Sequence, residues 1–176
     1  MPATFSAPSP TAIPIDVIES DQLDEFKKRA SADTMAWVKA NGFNGKLGEV
    51  LCVPLDGCIA RVLVGWGRPS DRARGRLHMG YAAVKLPAGV YEIASGLSGP
   101  ELEEAALGWL LSSYIFDRYK KKAPAKAKLV APSGVNVTRI ESIVSVDFLT
   151  RDLINTPASD MGPEMLEAAF LKLAQD

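Results

Sequence analysis

Apolar residues alternate around Pro14 and Asp16 from Ile13 to Ile18, the period of two expected of a strand, and Ser20-Asp21 then offers a cap for a short helix through Lys28. The period lengthens over Ser31 to Ala40, where Met35, Ala36, Trp37 and Val38 predict a second helix, and Asn41-Gly42 supplies its stop. From Leu47 the pattern is strand-like again. Leu47 to Pro54 pairs naturally with Cys58 to Trp66 across Asp56-Gly57, because a type I′ turn needs positive φ at both central positions. That register sets Leu55 opposite Cys58 and Cys52 opposite Arg61. Leu86-Pro87-Ala88-Gly89 reads as a turn, with short strands at Val90 to Ile93 and Lys128 to Ala131.

Two longer helices follow from the spacing. One runs from Gly99 to Tyr119, opened by the capping-box pair Ser98 and Glu101. Leu102, Ala106, Trp109, Leu110 and Phe116 form one apolar stripe of it, and Leu107, Leu111, Tyr114 and Ile115 a second, which predicts a central, largely buried helix. The other is opened by the capping-box pair Thr138 and Glu141, is apolar at Val137, Ile140, Val144, Phe148 and Leu153, and ends at Asn155 before the turn Asn155-Thr156-Pro157. An amphipathic helix from Pro163 to Gln175 comes last. Strands alternating with helices in this order predict an α/β sandwich with a mixed sheet.

Composition narrows this to one core. The 176 residues are 47% hydrophobic and 23% charged, enough apolar material to offset backbone entropy and too short a chain for two ordinary domains. A net charge of −1 gives no overall attraction to nucleic acid or an anionic membrane. Residues 1 to 12 read as a flexible tail, without the basic and apolar regions of a secretory signal, and no segment has the length of a membrane span. The expected location is cytoplasmic. Cys52 and Cys58 do not face each other in the hairpin and lack further ligands at metal spacing, so the reading is of buried, reduced thiols.

Chemistry is harder to find. His78, the one histidine, has no nucleophile context and reads as a surface or packing residue. Gly65-Trp66-Gly67 follows a strand, yet Ser70 stands where a dinucleotide fingerprint needs its third glycine, Pro69 precedes it, and no helix is expected to open there. Arg68, Arg72, Arg74 and Arg76 read as a solvated loop leading into a short helix. Arg118, Lys120, Lys121 and Lys122 load a helix C-terminus, which the helix dipole alone explains. Asp152 and Asp160 flank the terminal turn, where turn and helix chemistry account for them. No catalytic, cofactor-binding or metal residue is assigned anywhere on the chain.

Three segments carry a resemblance. RDLINTPASDMGP, from Arg151 to Pro163, resembles the RDLxNxP segment that joins the two domains of the leucyl (cytosol) aminopeptidases, a family of two-metal peptidases. Gly108-Trp109-Leu110-Leu111 with Tyr114, Phe116, Tyr119 and Lys120 looks like that family's G-x-x-L-x-x-Y-x-F-x-x-Y-K helix, and Gly42-Phe43-x-Gly45-Lys46 is similar to the segment before it. Their order is also the family's. One departure stands at Gly162-Pro163, where the family often has Thr-Pro.

The resemblance implies a macro-domain-like three-layer sandwich over residues 13–135, with residues 136–176 as linking helices towards a catalytic domain absent from this sequence. It implies peptide substrates and two divalent metal ions, Zn or Mn, for the intact enzyme, whose ligand segments such as NTDAEGR have no counterpart here. Expected partners are the chain's own catalytic domain and further copies of itself, a hexamer for the intact enzyme, with no membrane; the net charge weighs against nucleic acid. The implied role is non-catalytic: scaffold, oligomer contact and control of access to an active site elsewhere. Two other readings stay open at this point, a macro-like module binding a nucleotide or ADP-ribose, and nucleic-acid binding through the Arg-rich loop.

Overall fold

The computed structural model describes residues 4–123 and 125–175. Five strands make one mixed sheet in the order β2-β3-β1-β4-β5. They are β1 (Ile13–Glu19), β2 (Val50–Leu55), β3 (Cys58–Gly67), β4 (Gly89–Ser95) and β5 (Ala127–Leu129). β1 lies parallel to both β3 and β4, β4 is parallel to β5, and β2 is the antiparallel edge. The helices are α1 (Leu23–Arg29), α2 (Ala32–Ala40), α3 (Pro69–Arg72), α4 (Met79–Lys85), α5 (Gly99–Leu111), α6 (Val137–Asn155) and α7 (Pro163–Leu173).

Alternation along the strands divides the core in two. Ile15 and Val17 of β1, with Val62, Val64 and Trp66 of β3, Tyr91 and Leu129, meet α4, α5 and α6 on one face. Ile18, Leu63 and Val53 meet Leu23 and Phe26 of α1, Val38 of α2 and Phe43 on the other. Each fully buried aliphatic or aromatic side chain contributes about 1.5–3 kcal/mol, so the larger cluster under Trp109 and Tyr91 dominates. On the second face Asp16 ties three strands together, accepting from Arg61 Nη1 of β3 (2.7 Å) and Ser95 Oγ of β4 (2.6 Å).

The hairpin turns at Asp56 (φ 50°) and Gly57 (φ 79°), and Leu55 opposes Cys58 as the sequence predicts. Cys52, however, opposes Val62 rather than Arg61. The register shifts between Val53 and Pro54, leaving Ala60 without a partner, and this bulge reverses which face each later residue of β3 takes. Both cysteines are free. Cys58 is exposed and Cys52 only half-buried, which corrects the expectation of buried thiols.

Other boundaries differ too. α5 stops at Leu111, not Tyr119, because the Ser112 and Ser113 hydroxyls donate to Trp109 O and Leu110 O (2.6 Å each) and compete with helix continuation. Ser98 is its N-cap by position, but its side chain makes no capping bond. α6 is capped by Asn136, whose Oδ1 accepts from Arg139 N (3.0 Å), so Thr138 is inside the helix. Glu141 instead accepts from Phe5 N (2.9 Å), and Ser6 bridges to Val130, so these two residues of the stretch read as a flexible tail are docked on the domain. Ser20 is likewise diverted, into a 3₁₀ turn (Ser20–Gln22), where its hydroxyl donates to Gly45 O. α6 itself starts in the core, with Ile140 and Val144 buried.

Candidate functional site

The two segments that carry the strongest resemblance meet at the C-terminal turn. Beyond Leu111 the chain is irregular, and its aromatic side chains reach across to the end of α6. Tyr114 OH donates to Asp152 Oδ1 (2.9 Å) and accepts from Asn155 Nδ2 (3.0 Å). Its ring meets Phe148 edge-on, with centroids 5.1 Å apart, and the Arg151 guanidinium lies 5.2 Å from its centre. Thr156 then closes α6. Its N–H and hydroxyl both donate to Asp152 O (3.1 and 2.6 Å), and its Oγ1 accepts from Arg118 Nη1 (3.3 Å). Past the turn, Tyr119 OH donates to Asp160 Oδ2 (2.5 Å).

The electrostatics follow from these bonds. The hydrogen bond to Asp160 is the main reason the Tyr119 hydroxyl titrates above the ordinary tyrosine range, and the same bond, helped by Ser159 and Arg118, holds the Asp160 carboxyl below the usual carboxylate range. Desolvation, followed by the Asp152 carboxylate, pushes the Tyr114 hydroxyl up, opposed by the bond from Asn155.

Beside this junction lies a groove of 780 Å³ lined by Phe116, Arg118, Phe148, Leu149, Leu153 and Met161 among others. α7 runs on from it with no buried residue. Its large apolar side chains stay exposed, with Phe170 73% exposed and Leu166 52%. Asp152 and Asp160, singled out as flanking the turn, are therefore brought to two successive tyrosine contacts. The sequence held both motifs but not their meeting. The signal available was that each carries the other's complement, tyrosines in one and carboxylates in the other.

The sheet offers a second place to look, since open α/β sheets bind ligands beyond the carboxyl ends of their parallel strands. Here that edge is filled by the protein. A one-turn helix, α3, does open at Pro69, against expectation, because the Asp71 carboxylate accepts from Arg68 N (2.8 Å) and caps the turn. α3 places Arg72 inward, not in a solvated loop. Its guanidinium donates to Trp66 O (2.9 Å) and Glu19 Oε1 (2.6 Å) and lies 5.7 Å from the Trp66 ring centre. Gly96 at the end of β4 sits so close to β1 that a Cβ would stand 1.9 Å from Val17 O, which leaves no cleft between those strand ends. His78 is half-buried with its ring edge-on to Trp66 at 6.0 Å, a packing role.

Arg76 and Glu104 form a neighbouring pair (2.7 Å), and that hydrogen bond is the first cause holding the Glu104 carboxyl below its ordinary range. Among the described residues no three or more His, Cys, Asp or Glu side chains converge as a metal site would require. No helix of the described residues is long and apolar enough to cross a membrane.

Comparison with known proteins fits this arrangement. The family described as "M17 aminopeptidase, N-terminal domain" matches residues 13–132. Probable cytosol aminopeptidases of Nocardia farcinica and Chelativorans sp. are 28% and 31% identical, over 98% and 92% of this chain. The chain spans 37% and 38% of the length of those relatives. The crystal structure of the cytosol aminopeptidase from Coxiella burnetii superposes with a TM-score of 0.87 at 32% identity, over 98% of this chain and 37% of that one. A tomato leucine aminopeptidase variant, at 18% identity and a TM-score of 0.63, covers 98% of this chain and 41% of its own and shares the fold. Together with the mixed five-stranded sheet and the junction motifs, these findings show that the chain belongs to the M17 aminopeptidases, as an N-terminal domain of that family.

Proposed function

We propose that this chain is the non-catalytic part of a cytoplasmic two-metal leucyl aminopeptidase, acting as scaffold, in contacts between copies and in limiting access of peptides to an active site on a following domain. The observation that carries this reading is the junction, where a family-matched domain ends in a helix with its apolar side exposed. The chain's own residues do not fit the two metal ions the family implies, since no converging ligand set exists among the described residues, and no catalytic step is assigned to them. Metal, peptide substrate and hexamer all belong to the proposed whole enzyme.

The macro-like binding alternative has less support. A nucleotide would need free backbone N–H groups at the strand ends, where Gly67 N already donates to Gly45 O (2.8 Å) and Arg72 is committed to Glu19. Nucleic-acid binding through the Arg-rich loop would draw on cations that are also paired, Arg68 with Asp21 and Arg76 with Glu104. The test is the coding sequence downstream of Asp176. A continuing frame carrying Lys, Asp and Glu ligand motifs is the expected result, and an immediate natural stop codon would defeat the proposal.

A further inference from the structure

α7 keeps every residue half-exposed or exposed, and although Met165, Ala169 and Leu173 line a groove of 550 Å³ with Val146, Leu149 and Leu153 of α6, none is buried there, and a helix of this length without a core is marginal in water. Something other than a core must hold its direction. The hinge is short. Pro157 O accepts from both Asp160 N (2.9 Å) and Met161 N (3.0 Å), which shapes the turn without tying it to the domain. The ties come from the irregular segment after α5, and they fall on both sides of the hinge. Before it, Tyr114 holds Asp152 and Asn155, and Arg118 holds Thr156. After it, Tyr119 holds Asp160. One anchor would leave rotation about the turn free; anchors on each side remove it.

We infer that Tyr114, Arg118, Tyr119, Asp152, Asn155 and Asp160 form a two-point clamp that sets the direction in which α7 leaves the domain. The segment from Ser112 onward gives up helix in order to supply it. Two further aromatic rings stiffen the clamp: Phe148 packs edge-on against Tyr114, and Phe116 lies 5.8 Å from Tyr119. Polar contacts suit this task better than an apolar seam, because a hydrogen bond fixes angle as well as distance. The inference rests on the reading above only for what α7 leads into. The clamp is a property of this chain and is tested on it.

The experiment is amide hydrogen exchange followed by mass spectrometry on dilute protein, comparing wild type with Tyr119→Phe, Asp160→Ala, the double variant and Tyr114→Phe. Tyr119→Phe keeps the ring and removes only the hydroxyl. The clamp requires residues 157–173 to exchange roughly two- to ten-fold faster in Tyr119→Phe, the effect of one lost hydrogen bond. Asp160→Ala should match it and the double variant should add nothing, since all three break the same bond. Tyr114→Phe should extend the loosening back to residues 152–156. Unchanged exchange over residues 157–173 in Tyr119→Phe, or effects that multiply in the double variant, would overturn the clamp. The downstream reading frame decides the family proposal separately.

Discussion

Gly108 gives a sharp test of how α5 meets the chain before α4. A Cβ added there would stand 2.8 Å from Leu77 O and 3.0 Å from Leu77 C and Cα, while one at Gly80 of α4 would stand 3.0 Å from Gly108 O. All of these obstacles are backbone. Leu77 is also already at φ 60°, a region that costs a residue with a Cβ about 1–2 kcal/mol, so it has little freedom to retreat. Gly108→Ala brings two opposed effects. Alanine in a helix interior is better than glycine by about 1 kcal/mol, and overpacking against an unyielding neighbour costs about 1–3 kcal/mol. Because every obstacle is backbone, the upper part of that range applies, about 2–3 kcal/mol, so the net expectation is destabilisation by about 1–2 kcal/mol, or a fall in Tm of roughly 2–8 °C for a domain of this size. Urea unfolding followed by tryptophan fluorescence, to which the buried Trp66 and Trp109 contribute, reads it as a lower midpoint with an unchanged slope. Gly162→Ala is the comparison, since nothing lies within 4 Å of its added Cβ; it caps α7, where alanine is the poorer cap, but α7 buries no residue, so the core transition should move less than in Gly108→Ala. If Gly108→Ala proved as stable as wild type or more so, the close approach inferred between α5 and Leu77 would be wrong.

Tyr91 is fully buried and donates to Pro87 O (2.9 Å), so Tyr91→Phe should lower stability by about 0.5–1.5 kcal/mol, measured by the same unfolding curve; no loss would mean the bond contributes nothing. Arg76, Leu77 N–H and His78 face Glu104 and lower its folded pKa, so its contribution is present above the ordinary value of 4.5 and is lost as pH falls through the lowered one. The stability gap between wild type and Glu104→Gln should therefore be present above the ordinary carboxylate range and close in acid as pH falls through the lowered pKa, and a gap that persists in strong acid would refute it. With added Mn²⁺ or Zn²⁺ the purified chain should not turn over a leucine chromogenic substrate, because it lacks a converging ligand set among the described residues; sustained turnover would contradict this. Burying Phe170, Leu166 and Leu173 between copies would gain about 1.5–3 kcal/mol each, so sedimentation at rising concentration should show self-association that a chain ending at Thr156 lacks, and two identical monomeric profiles would dismiss it.

Much of the fold was open to reading along the chain because its causes are local. The alternation of Ile13 to Ile18, the Asp56-Gly57 turn and the stop of α6 at Asn155 each depend on residues within a turn or two of one another. The junction motifs could also be read, as a resemblance, because their spacing survives in sequence. Tertiary structure decided what depends on distant partners. α5 ends at Leu111 although its apolar stripes continue: the Ser112 and Ser113 hydroxyls compete locally, and the irregular chain beyond them carries Tyr114 and Tyr119 to partners at Asp152 and Asp160, 38 and 41 residues away. Arg72 is internal because Glu19 and Trp66 O wait at the ends of two strands joined only in the sheet. The register at Cys52 turns on a single unpaired residue, Ala60, and such a bulge has no periodic signature. Periodicity reports which face of an element is apolar. Which carboxylate meets which hydroxyl across forty residues depends on how the elements are stacked, and here that stacking makes the junction.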